Sequence, residues 1–221
     1  MAVAASSQEV LHHKNLYFES YLTENEAEKD QKLIEFLRPR QGNTIVYCAT
    51  SNAVEYVHQH LQKHGIESLR HHKRMRVAQR RASVEQFLIG KSSVLAVAGP
   101  LPREIGKAHI RLMVHFNFPA SLGDYIHETS PVGADGLPAR CILLYLRKDK
   151  RSQKRDEDEL KQVIVYAQSA MCRTKILSRY IGNMSGQEFC NRCDNCLRTR
   201  KSRPVEEKKR IDLDAILEAS L

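Results

Sequence analysis

An α/β fold, a parallel sheet with flanking helices followed by a small helical zinc-binding unit, is what the sequence predicts, on three observations. Short apolar runs alternate with amphipathic segments at helical spacing. A charge run over residues 147–158 has no face to bury and interrupts that alternation. Four cysteines follow it at metal-ligand spacing.

Residues 1–13 are small and polar and read as a flexible leader. Residues 24–37 form a helix with Leu33, Ile34 and Leu37 on one face, and a turn at Gln41, Gly42 and Asn43 ends it. Residues 44–49 are a compact apolar run of the kind found in buried parallel strands. Ser51 can cap the next helix, whose stripe is Val54, Val57 and Leu61 and whose exit is Gly65. A short strand at 68–71 precedes a helix over 77–89 carrying Val84, Phe87 and Leu88. Residues 94–98, 112–116 and 141–146 are further strands, and Ser121 opens a short helix between the last two. Strands alternating with helices call for right-handed crossovers and a parallel sheet. Beyond the charge run, Leu160, Val163, Ile164 and Ala167 mark one helix, and Ile176, Leu177, Tyr180 and Ile181 a second. The expected organisation is therefore leader 1–13, sheet domain 14–149, helical zinc-binding domain 150–197 and basic tail 198–221, where Leu213, Ile216 and Leu217 could form a short docking helix.

The 221 residues, 42% hydrophobic and 28% charged, describe a globular chain rather than a disordered one. No apolar run approaches membrane-spanning length and no secretory pattern opens the sequence. With cysteines in a metal pattern, that points to a reducing, intracellular compartment, nuclear in a eukaryote and cytoplasmic in a bacterium. A net charge of +9 suggests a polyanionic partner, nucleic acid before membrane because no basic amphipathic helix is evident.

Cys190, Cys193 and Cys196 stand at C-x2-C-x2-C, and Cys172 lies upstream with seventeen residues between it and Cys190. Thiolates this close in a turn converge on one point, as tetrahedral Zn²⁺ requires and a disulfide pair does not. Four thiolates fill the tetrahedron, so the site is expected to be structural, with one zinc. Cys48 and Cys141 sit in apolar runs and read as buried and inert. Arg173, Arg179, Arg192 and Arg198 surround the cysteines, and Lys73, Arg74, Arg76, Arg80 and Arg81 make a second basic cluster. Either set could hold phosphates or be a solvated surface. Arg76 and Arg80 are spaced to share a helix face. His58, His60, His64, His71 and His72 lack the cysteine or carboxylate company of a metal site. The run 198–210 reads as a nucleic-acid arm, a nuclear-localisation patch or a solvated linker.

The arrangement resembles the RecQ family of DNA helicases, specifically its second RecA-like motor domain and the zinc-binding domain after it. Asn15-Leu16-Tyr17 is similar to the start of that domain, and Ile45-Val46-Tyr47-Cys48 to its first buried strand. His72 falls at a characteristic histidine. Residues 111–119, 135–139 and the Cys172-Arg173 and 190–196 segments are close matches. The resemblance implies a RecA-like sheet domain, DNA as partner and a role in DNA repair or recombination.

The departures fall on the catalytic motifs. In the family, a glutamine and two arginines occupy the positions that here are His127, Pro131 and Ala134. Such arginines neutralise charge on the transferring phosphate and are worth several powers of ten in rate. Where the family has a threonine and a glycine-rich acidic turn, this chain has residues 98–106 with Pro100, Pro102 and Gly106. The only Gly-Lys-Ser, at Gly90, Lys91 and Ser92, has Glu85 at the first glycine position of a P-loop and reads as a helix-to-strand turn. His127-Glu128 fails as a zinc-protease motif because Pro131 stands where its second histidine would be.

These residues imply no catalytic set, and ATP is not an expected cofactor. The expectation is a RecQ-like DNA-binding protein or helicase fragment, without ATP hydrolysis or unwinding of its own. One alternative is half of an ATP-dependent 3'-5' helicase completed by a separate motor domain. Another is a zinc-stabilised interaction module for an acidic protein.

Overall fold

The protein's structure, a computed structural model, describes residues 15–38, 42–147, 149, 157–183 and 188–202. The proposed leader, most of the charge run and the docking segment around Leu213, Ile216 and Leu217 lie outside the described residues.

Chain order is β1 (Leu16–Thr23), α1 (Glu26–Leu37), β2 (Asn43–Tyr47), α2 (Ser51–Lys63), β3 (Leu69–His72), α3 (Val77–Leu88) and β4 (Val94–Ala98). A 3₁₀ turn (Arg103–Lys107), β5 (Ile110–His115), α4 (Leu122–Thr129), β6 (Ala139–Leu146), α5 (Glu157–Gln168), α6 (Arg173–Tyr180) and α7 (Asp194–Ser202) complete it. The six strands are all parallel, in the order β1-β6-β5-β2-β4-β3.

Side chains alternate across the sheet, as a period of two demands. In β6, Cys141, Leu143 and Tyr145 face one core while Ile142 and Leu144 face the other. The second core is closed by Leu33, Ile34 and Leu37 of α1 and Val54, Val57 and Leu61 of α2. The first is closed by α3, α4, α5 and α6, and it runs without a break into Cys172, Cys193 and Cys196. The cysteine unit therefore shares its apolar packing with the sheet.

Caps follow the local chemistry. Asn25 accepts from the Glu28 amide at 2.9 Å and Ser121 from the Asp124 amide at 2.9 Å. Thr50, not Ser51, caps α2, accepting from the Ala53 amide at 3.1 Å. Gly90, at φ +77°, ends α3, so Gly90-Lys91-Ser92 is a helix-to-strand turn.

Two elements were not expected. β1 pairs with β6 over its full length, from Leu16 opposite Ala139 to Thr23 opposite Leu146. And α7 runs from Asp194 to Ser202, so residues 198–202 belong to a helix rather than to the basic tail.

Candidate metal centre and nucleic-acid surface

Cys172 occupies the N-cap position of α6, Cys190 and Cys193 lie in the following loop, and Cys196 is in the first turn of α7. Asn191 adopts the left-handed conformation, φ 58°, that turns the chain between Cys190 and Cys193; asparagine tolerates it better than most residues. The four Sγ atoms lie within 4.8 Å of one another. Zinc–sulfur bonds of about 2.3 Å in a tetrahedron set sulfur atoms about 3.8 Å apart. The Cys190–Cys196 Sγ separation is 3.9 Å.

Backbone amides are aimed at the sulfurs. Cys193 N–H donates to Cys190 Sγ (3.2 Å), Cys190 N–H to Cys172 Sγ (3.3 Å), and the Arg173 and Cys196 amides to Cys193 Sγ (3.4 and 3.5 Å). Such bonds favour thiolates over thiols. Without a metal, four crowded thiols cannot all ionise. Hydrogen bonding with Cys172 holds Cys190 below the ordinary thiol range and pushes Cys193 above it. Cys172, Cys190, Cys193 and Cys196 thus form a cluster that could hold one zinc ion, and no other such group occurs among the described residues. Cys48 and Cys141 are buried away from it, and burial pushes the Cys48 thiol up to about 12.

The arginines near the cysteines divide. Arg173 is 3% exposed, grips both Asp194 carboxylate oxygens (2.9 and 3.0 Å) and donates to the Tyr166 carbonyl. Asp194 also accepts from the Ser20 amide of β1 at 3.2 Å, so this pair ties the cysteine loop to α5 and the sheet. Arg173 cannot contact phosphates as expected, because its guanidinium is consumed inside the fold. Arg179 is exposed on α6, Arg192 is half-buried with Nε lacking a partner, and Arg198 donates to Asn195 Oδ1.

The second basic cluster follows β3. Exposed Arg74 donates to Asn52 Oδ1, exposed Arg76 is the N-cap residue of α3, and half-buried Arg80 lies in that helix's first turn. Arg76 therefore stands just outside the helix whose face it was expected to share. The loop opens at the carboxyl edge of the parallel sheet, where ligands of open α/β sheets gather. His72 is 3% exposed and bonded to Glu55 (2.8 Å), which also takes Arg70 (2.6 Å).

The loop that carries Pro131 and Ala134 is held by contacts from Asn15 and Arg111. Gly133, at φ +62°, leaves room for Asn15, whose amide donates to the Gly133 and Leu137 carbonyls at 2.7 and 2.8 Å; a Cβ there would meet Asn15 Nδ2 at 2.5 Å. Asp135 is bonded to Arg111 and to His109 (2.9 Å), and the Arg111 guanidinium holds its carboxyl far below the usual range. His127 and Ala134 are exposed and Pro131 is half-buried. The loop is built, but Pro131 and Ala134 bring no cation to it.

Sequence reasoning missed Asn15, Asp194 and Asn195 as positioning residues. Asn195 donates to the Ser169 and Met171 carbonyls at 2.7 Å each and so fixes the chain leading into Cys172.

A family model described as the helicase conserved C-terminal domain matches residues 28–133, and one described as RecQ zinc-binding matches residues 135–197. The chain is 28% identical to the ATP-dependent DNA helicase RecQ of Haemophilus influenzae, over 87% of this chain and 35% of that protein. It is 25% identical to the Bacillus subtilis protein of the same name, over 92% and 36%. A putative ATP-dependent DNA helicase Q1 of Caenorhabditis elegans is 29% identical over 69% and 26%. The chain spans about a third of the length of the first two relatives. Among solved structures, the C-terminal domain of the DEAD-box protein Dbp5 superposes with a TM-score of 0.54 at 18% identity, covering 77% of this chain and 87% of that one. That likeness fixes the fold as the RecA-like helicase C-terminal type.

Proposed function

The chain belongs to the RecQ family, carrying its helicase C-terminal and zinc-binding domains, and on that premise we propose that it binds DNA through phosphates without hydrolysing ATP by itself. The observation that carries this reading is the contrast between Pro131 and Ala134 on an otherwise intact motif loop and the exposed Arg74 and Arg76 at the sheet's carboxyl edge. A cation missing from the loop removes transition-state stabilisation. Exposed arginines retain what phosphate binding needs.

The domains in this reading are 14–149 and 150–197, with Cys172, Cys190, Cys193 and Cys196 holding one structural zinc. Arg74, Arg76, Arg80, Arg179, Arg192 and Arg198 are the phosphate-facing groups, Arg80 and Arg192 partly so because they are half-buried. Arg173 is withdrawn from that set.

The likeness to ATP-dependent DNA helicases favours a second reading, in which a separate ATP-binding domain completes a helicase. One experiment separates them: DNA-stimulated ATPase of the zinc-loaded protein, alone and mixed with the ATP-binding domain of a RecQ relative. Retained oligonucleotide binding with no turnover in either sample supports the first. Turnover in the mixture that depends on this chain supports the second.

A further inference from the structure

We propose that α3 is a self-complementary docking surface on which a second copy of this chain packs, antiparallel and about a twofold axis, to form a weak dimer. An apolar groove of about 510 Å³ runs along α3 beside the 3₁₀ turn, with Val84, Leu88 and Pro102 in its lining. Ile89 and Val77, at opposite ends of the helix, also line it. They are the two most exposed large apolar side chains among the described residues, at 73% and 62%. Leu88 is 36% exposed, whereas Val84 and Phe87 beneath are at most 9% exposed. Exposed apolar residues scattered singly need no explanation, but three on one groove mark a contact surface.

Charge balance selects a second copy as the occupant. The chain carries a net charge of +9, so two copies repel each other over most of their surface. The groove is an exception, because Arg80 and Arg81 in its lining are matched by Glu85 and Glu104. The other titratable side chain there, His71, is held toward its neutral form by burial and by the Arg80 charge. None of the two arginines and two glutamates makes an ion pair among the described residues. A strongly acidic or strongly basic partner would set like charges against two of them. A copy of the same surface can offer each arginine a glutamate.

The order of residues along α3 supplies the symmetry. A twofold axis across the helix at the level of Ser83 pairs positions equally far before and after it in two antiparallel copies. Arg81 and Glu85 stand two positions either side of Ser83, and Val77 and Ile89 six either side. Arg81 therefore faces the partner's Glu85, and Glu85 faces the partner's Arg81, giving two ion pairs beside the axis. Val77 meets the partner's Leu88 and the partner's Ile89, once at each end of the contact. Val77, Arg81, Val84 and Leu88 fall at i, i+4, i+7 and i+11, a single stripe of an α-helix. The twelve residues of α3 span about 18 Å. So short a contact falls below the roughly 1,600 Å² of a standard interface, which sets the dissociation constant on the order of tens of micromolar.

Sedimentation equilibrium of the zinc-loaded full chain, without DNA and from about 1 to 300 µM, tests this. The weight-average mass should rise across that range from that of one chain toward that of two. Arg81→Glu and Glu85→Arg should each weaken association about tenfold or more, because like charges then face each other across the axis. Combining the two restores opposite charges and should return the dissociation constant to within about threefold of wild type. Ile89→Asp should also weaken association about tenfold. All three positions are exposed, and unchanged melting temperatures in dilute solution verify that each variant folds. A mass of one chain at every concentration overturns the proposal. A dimer insensitive to the single substitutions assigns the contact to another surface and overturns it too, as does a double variant that associates no better than either single one.

Discussion

Arg173 and Arg179 stand six positions apart and do opposite things. Arg173 is locked to Asp194 and Tyr166 inside the fold, whereas Arg179 faces solvent. Removing one member of a buried, hydrogen-bonded pair leaves the other charge unsatisfied, so Arg173→Ala should cost about 3 kcal/mol or more in denaturant unfolding. It should leave the salt dependence of oligonucleotide binding unchanged. Arg179→Ala should do the reverse, with unaltered stability and a salt slope shallower by about one phosphate contact. Nothing in a single sequence separates the two, because arginine composition carries no burial signal and the partner Asp194 lies far along the chain. Asp135 makes a further residue-scale prediction. Its carboxyl is depressed in the fold by Arg111, so its contribution to stability is complete above the unfolded carboxylate range, about pH 4, and is lost as pH falls through its lower folded value. Thermal melts from pH 6 down to pH 2 should therefore decline less steeply in Asp135→Asn than in wild type.

At the scale of elements, legibility followed the hydrophobic pattern. α1, α2 and the central strands announce themselves because both sheet faces are covered and their apolar runs are dense. β1 escaped notice because Tyr17, Glu19 and Tyr21 alternate with Leu16, Phe18 and Ser20, the diluted pattern of an edge strand. It is nonetheless core: Phe18 is 3% exposed and packs on Tyr125 with ring centroids 6.2 Å apart, so Phe18→Ala should destabilise by about 3–5 kcal/mol in equilibrium unfolding. α7 carried a usable signal that went unread, an aspartate at its first position and cationic residues in its second half. The cysteine spacing was the clearest motif, and its four sulfurs do converge. Native zinc-loaded protein should resist thiol alkylation at all six cysteines. After chelation, the four clustered cysteines should label while Cys48 and Cys141, both fully inside the sheet, stay unlabelled. Labelling of all six at one rate would mean that the cysteine unit and the sheet unfold together.

Across the whole molecule, the two basic clusters lie toward opposite edges of one sheet, and the cysteine unit is continuous with the core that supports them. What the sequence could not convey is that continuity: a charge run suggested a division at 150, but packing of Val163, Tyr166 and Leu177 crosses it. In the proposed reading Pro131 and Ala134 bring no cation to their loop, while Arg74, Arg76 and Arg179 stay exposed for phosphates. The salt dependence of binding tests this most directly. A fluorescent single-stranded oligonucleotide titrated with zinc-loaded protein from low to physiological salt should give log K falling linearly with log salt. Six phosphate contacts correspond to a slope of about −4, reduced to about −2 when Arg74, Arg76 and Arg80 are replaced by alanine. A wild-type protein that fails to bind at low salt, or that binds with a slope near zero, would contradict the account.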